Sequence, residues 1–318
     1  MNIFQIKYSF NLLKSFPDNL ESRQGYELIE KKYSPGQLAP ITVVVNKEGK
    51  LSSEEIVQFV EKLDKQKGVE GLNPSIETIK KNTSQLLSED GKAAKVQLIL
   101  KDQPYSLQAV DTIQSLQSKE SEFVKDGHVY FAGETAKQAD LYDINNHDTT
   151  VIVVLISILI FILLGIQTKS LIAPIYMIGT ILLSYCAALG LSMFLFQHLF
   201  GYTDMSYRIP LYTFVFLVAL GVDYNIMLVS RIKEEAAHHS LQAAIENGLT
   251  ATGGVISSAG IVLATFAVLT TQPLLELFMF GFVVALGVII DTFLVRTLLV
   301  PAIMLLLKKW SLWPQKIK

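Results

Sequence analysis

Asp223 is the only charged residue in Ile209–Ser230, a run of 22 residues that otherwise reads as a membrane-spanning helix. At 1.5 Å per residue it lies about 21 Å from the start of the run and about 12 Å from Arg231 at its end. Placing an ionisable side chain at such depth costs about 2.5–3.5 kcal/mol on insertion scales. Two chemistries account for that cost. In one the carboxyl is structural, accepting hydrogen bonds from Ser, Thr or Tyr on a neighbouring helix and tying the bundle together. Alternatively it carries protons, because hydrocarbon surroundings favour the neutral form of a carboxyl and let it load and release a proton near neutral pH. Tyr224 follows directly. Successive helical residues point about 100° apart, so Asp223 and Tyr224 face different neighbours and each needs a partner across a helix interface. A phenol there supplies a donor to the ionised carboxyl and a link for a moving proton.

Two further sets of residues bear on this site. The stretch TATGGVISSAG, Thr250 to Gly260, sets Gly254 and Ser258 four apart, with Gly253 and Ser257 beside them. Small residues at that spacing allow close helix approach, and the Ser257 and Ser258 hydroxyls either pack or support the relay. In the last apolar run Asp291 and Arg296 lie about 7.5 Å apart along the axis. Arg296 is expected to snorkel to the inner interface. Asp291 reads as a structural ion-pair partner for it, or for another polar group, and not as a second carrier. Elsewhere Glu54, Glu55 and Asp64 read as a solvated helix face, and His128 and His147 are isolated. No spacing suits a metal, and no nucleophile or phosphate loop appears, so neither enzymatic chemistry nor a cofactor is expected. The single cysteine, Cys186, reads as a small hydrophobe within a helix.

These residues need a scaffold, and the composition supplies one. Half of the 318 residues are apolar and the net charge is −2. Residues 1–148 are charged and mixed; residues 149–307 are nearly continuous hydrocarbon. No basic tract suggests nucleic acid. Five runs are long enough to cross a bilayer: Thr149–Thr168, Ser170–Gln197, Ile209–Ser230, Thr250–Thr271 and Leu277–Leu307. The first two form a hairpin about a polar turn at Gln167–Ser170. The last is too long for one straight span, and its final third, after Arg296 and around Pro301, is expected to emerge along the inner surface. Arg231–Asn247 is expected to form a short amphipathic connecting helix. Lys169, Arg231, Lys233, Lys308, Lys309, Lys316 and Lys318 flank one side of these spans and Arg208 the other. The lysine-rich side is therefore expected to be cytoplasmic, and residues 1–148 extracytoplasmic. The opening residues carry no signal peptide, which suggests a piece of a longer chain.

Residues 1–40 read as an irregular lead-in ending in SPGQLAP. Beyond it the pattern changes period repeatedly. Ile41–Asn46 predicts a strand, Ser52–Lys67 a helix closed by Gly68, and Val69–Ile76 and Lys95–Lys101 two more strands. Leu107–Phe123 predicts a helix with Val110, Ile113, Leu116 and Phe123 inward, and His128–Phe131 a fourth strand. The order β-α-β-β-α-β is the split-βαβ, ferredoxin-like plan, which by itself implies no function. Gly133–His147 reads as a helix leading into the first span.

GVDYNIMLVSRIKEE, the TGGVISSAG helix and DTFLVRTLLVPAIMLLL, together with the KKYSPGQLAP entry to the first domain, resemble the C-terminal half of the MMPL family. These are exporters of lipids and hydrophobic compounds within the resistance–nodulation–division superfamily. The resemblance covers essentially the whole chain. It implies a polytopic α-helical membrane protein of five transmembrane helices with an α+β, porter-type extracytoplasmic domain, driven by protons. It places the proton relay on Asp223 and Tyr224, facing a like pair in the other half of the family plan. No second Asp-Tyr pair occurs in these five spans, so the resemblance also implies a partner: the missing N-terminal half or another copy of the chain. The residues also suit two other readings. One is a proton-driven protein-export factor resembling the SecD/SecF branch; the other is a non-transporting membrane sensor or interaction protein in which Asp223 is structural.

Overall fold

A computed structural model describes residues 7–9 and 11–314. The chain divides into two compact units, Ser9–His147 and one built on Asp148–Lys318.

The first unit is α+β. After a 3-10 turn, α1 (Glu21–Lys32) forms where an irregular lead-in was expected. It buries only Tyr26, so no apolar stripe announces it. β2 (Ile41–Lys47) buries Ile41, Val43 and Val45 on one face, the period of 2 that its β-branched residues predict. α2 (Ser53–Asp64) starts one residue later than expected, because Ser52 is its cap. The Ser52 hydroxyl accepts from the Glu55 amide at 3.2 Å and Glu55 accepts from the Ser52 amide at 2.8 Å, closing a capping box. The Lys47 ammonium beside it, with Ser52, holds the Glu55 carboxyl down at about 2. Ile56, Phe59, Val60 and Leu63 form the buried face of α2, and Gly68 turns the chain at φ +88°.

β3 (Val69–Asn73) is shorter than expected and gives way to an unforeseen short helix, α3 (Ile76–Lys81). β4 (Ala93–Leu100) follows. The helix expected over Leu107–Phe123 breaks at Lys119 into α4 (Leu107–Ser118) and the single turn α5 (Glu120–Phe123), before β5 (Gly127–Ala132). The four strands lie in the order β3–β4–β2–β5, each neighbouring pair antiparallel, with Val43 opposite both Val96 and Phe131. β2 and β3 thus run parallel on either side of β4, joined through α2, and β4 and β5 on either side of β2, joined through α4. The strand interiors and the apolar faces of α2 and α4 make one core. Each fully buried Val, Leu, Ile or Phe there contributes about 1.5–3 kcal/mol.

The second unit is helical and contains five helices long and apolar enough to cross a membrane. α6 (Glu134–Thr168) is a single helix that begins in the first unit; from Val151 to Ile166 it is apolar on all sides and mostly exposed. The chain turns at Lys169, φ +50°, into α7 (Ile172–Leu195), which ends in a π turn at Phe196–Phe200. β1 (Lys7–Ser9), whose Tyr8 is counted with this unit, pairs with β6 (Asp204–Ser206). α8 (Arg208–Ala236) carries Asp223. It runs through Arg231 without a break, so the separate connecting helix expected over Arg231–Asn247 does not exist. The chain turns at residues 237–240, and Ser240, accepting from the Ala243 amide, caps α9 (Leu241–Leu263). A 3-10 segment continues to Thr271.

The last span comprises α10 (Leu275–Ile290), a π segment (Asp291–Leu299) and α11 (Val300–Leu307). Its final third does not peel away as expected. Val300 and Met304 are buried in one cluster with Met177, Leu228 and Val229. Pro301 lacks the N–H that would meet the Thr297 carbonyl, and the Val300 amide reaches back to Val295. Both features suit a widened helical turn.

Candidate functional site

The buried face of α8 repeats every fourth residue: Ile209, Thr213, Leu217, Gly221 and Asn225. Gly221 lies flat against α7, where an added methyl group would sit 3.1 Å from Ile181 Cγ1. Asp223, two residues on, is rotated about 200° from that face. It is accordingly exposed on the flank of the chain, although it lies deep in an apolar span. Tyr224 falls between the two faces and is half-buried. The two side chains thus point in different directions, Tyr224 toward the packed helices and Asp223 outward.

Tyr224 has a definite partner. The guanidinium of Arg296 sits 4.4 Å from the centroid of its ring. Arg296 is 2% exposed and forms a buried ion pair with Asp291, itself 8% exposed. The expectation that Arg296 snorkels to the inner surface is thus overturned. In an α-helix, residues five apart point about 140° away from each other. In the π segment the hydrogen bond runs from i to i+5, so Asp291 and Arg296 share a face and close on each other. The same Arg296 nitrogen, Nη2, also donates to the Leu220 carbonyl at 3.5 Å. Asp291 Oδ1 and Arg296 Nε and Nη1 have no hydrogen-bond partner among the described residues.

These groups border a narrow pocket lined by Ser184, Tyr224, Asp291, Thr292 and Arg296 with apolar residues around them. One pocket therefore gathers a phenol, a carboxylate, a guanidinium and two hydroxyls from α7, α8 and the π segment. Asp223, exposed on the flank of α8, does not line this pocket.

The small residues of α9 are divided by face. Gly254 and Ser258 are exposed in this chain and Ser257 is half-buried; the Ser258 hydroxyl donates to its own helix at the Val255 carbonyl, 3.0 Å away. Nothing lies within 4 Å of a methyl group built on Gly253 or Gly254. The close approach within the chain falls on the next face, where Gly248 meets Ile232 and Gly260 meets Thr292, a lining residue of the pocket. An added methyl would lie 2.6 Å from Ile232 and 2.7 Å from Thr292. Among the described residues no group of three His, Cys, Asp or Glu could hold a metal ion.

Five apolar helices with a polar pocket between them define an integral membrane protein. The chain matches the model of the MMPL family over residues 14–318, and it belongs to that family. It is 41% identical over 314 residues to the membrane protein SCO5905 of Streptomyces coelicolor, covering 97% of this chain and 36% of that protein. It is 38% identical over 321 residues to the apo-petrobactin exporter of Bacillus anthracis, covering 98% of this chain and 41% of the exporter. The transport protein MmpL12 of Mycobacterium tuberculosis is 32% identical over 249 residues, 76% of this chain and 22% of that protein. The chain thus spans about two fifths or less of the length of these relatives.

Proposed function

We propose that this chain acts as the C-terminal half of a proton-driven exporter of lipids or other hydrophobic compounds, with Asp223 and Tyr224 as its proton relay. The observation that carries the reading is the setting of Asp223. An ionisable carboxyl stands deep in a span, with its neighbour Tyr224 under the guanidinium of the buried Asp291–Arg296 pair. Ionisable groups at membrane depth mark proton and substrate paths. The names of the relatives, an apo-petrobactin exporter and an MmpL transport protein, support export as the activity. The exposure of Asp223 on the flank of α8 supports contact with a second helical half, either a preceding segment of a longer protein or another copy of the chain. Export that continues unchanged after a protonophore collapses the gradient would overturn this reading. Loss of export on collapse, with ATP kept constant, is the expected result.

The first unit is read as a ferredoxin-like, porter-type domain. The strand order and the two helical crossovers support it. Its extracytoplasmic side follows from loop charge, with seven Lys and Arg residues against Arg208 alone. Asn46 and Ala237 are both exposed and test the sidedness. In intact cells, an impermeant maleimide is expected to label Asn46→Cys and spare Ala237→Cys; the opposite pattern reverses the topology.

A further inference from the structure

We propose that Tyr176 and Asn225 hold bound water at the inner end of a polar track along α7, extending the route of protons beyond the Tyr224 pocket. The conducting role, but not the water site, rests on the proton-coupled reading above.

Tyr176, Thr180 and Ser184 follow one another at four-residue intervals, so they lie on one face of α7, and all three are buried. Ser184 lines the pocket with Tyr224, Asp291 and Arg296. Tyr176 is about 12 Å further along the helix axis. α7 and α8 run side by side in opposite directions. The Tyr185 and Phe214 rings are 5.4 Å apart, and about one turn further along α7 and two along α8 Ile181 packs against Gly221. One more turn along each helix sets Asn225 level with Met177 and Tyr176.

Asn225 is 0% exposed and Tyr176 8% exposed. Neither atom of the Asn225 amide group, Nδ2 or Oδ1, has a hydrogen-bond partner among the described residues, and the Tyr176 hydroxyl has none either. A buried polar group left unmet has lost its hydration without compensation, so this interface needs a ligand. A cation would satisfy Oδ1 and repel Nδ2, and an anion would do the reverse. Water accepts from the amide nitrogen and donates to the amide oxygen, and the phenol can do either. Buried waters typically make about three such bonds, and three unmet polar atoms are available at this interface.

Radiolytic footprinting of the full chain in detergent tests the site directly, because hydroxyl radicals formed from bound water oxidise the side chains beside it. Tyr176 should be labelled at a rate comparable with exposed Tyr212, and Asn225→Leu should lower that rate severalfold. Tyr176 labelling at background in the unmodified chain overturns the water site. Proton flux into vesicles carrying the exporting assembly tests the role. Tyr176→Phe and Asn225→Leu should each slow flux severalfold, while Asn225→Leu keeps or raises the thermal midpoint. If Asp223→Asn stops flux and both inner variants leave it unchanged, the track does not conduct and the inference fails while the relay reading stands. If Asp223→Asn leaves flux intact, the relay reading fails, and the footprinting result alone decides the water site.

Discussion

Asp223→Asn is expected to reduce proton-driven export to background while the protein stays folded and inserted. Asparagine keeps the size and hydrogen-bonding capacity of the side chain and removes its ionisation. The substitution also removes an ionisable group that is costly at membrane depth, so yield and thermal midpoint should hold or rise. Tyr224→Phe removes a single hydroxyl and leaves the ring beneath Arg296, so it should impair export less completely. The measurement is gradient-driven export of a lipophilic dye by the assembly that contains this chain, with protein level measured in parallel. Full gradient-driven export by the Asp223→Asn protein would make the carboxyl a structural group.

The second large effect concerns the buried ion pair. Arg296→Met removes the cation and leaves Asp291 at 8% exposure without a counter-charge. Breaking a buried pair in this way costs about 3–5 kcal/mol, because the remaining charge is stranded. Asp291→Leu combined with Arg296→Met replaces both charges by apolar groups and should recover most of that loss. Export separates the two roles of the pair. If Arg296 also orders the Tyr224 ring, the double variant should be stable and inactive. A stable double variant with normal export would reduce the pair to a helix-packing device.

Much of this architecture was legible in the amino-acid sequence, for reasons that differ by element. The five spans follow from apolar runs of bilayer length, and the turn at Lys169 from the polar break between two of them. The strands of the first unit follow from alternating β-branched residues, as Ile41, Val43 and Val45 illustrate. Asp223 was visible because it stands alone in hydrocarbon. The partner of Tyr224 was not. The contact with Arg296 depends on a π segment that changes which residues share a face, and hydropathy carries no trace of that change. The extent of α8 was misjudged for a related reason. The charged stretch from Arg231 ends the apolar run, whereas backbone hydrogen bonding continues to Ala236 and stops only before the Ser240 cap. α1, which buries Tyr26 alone, lacks the periodic stripe by which a helix is recognised.

The turn between α6 and α7 is fastened to the far end of the helical unit. Its Ser170 hydroxyl, which accepts from the Ile172 and Ala173 amides, donates to the Trp313 carbonyl at 2.8 Å, and the Leu171 amide donates to the same carbonyl at 2.9 Å. Donor and acceptor are 143 residues apart in the chain. At a synthesis rate of about 5–20 residues per second, the hairpin leaves the ribosome roughly 7–30 s before its acceptor exists. The first two spans must therefore wait in the bilayer with that turn unfastened, and the helical unit can lock only after its last turn has been translated.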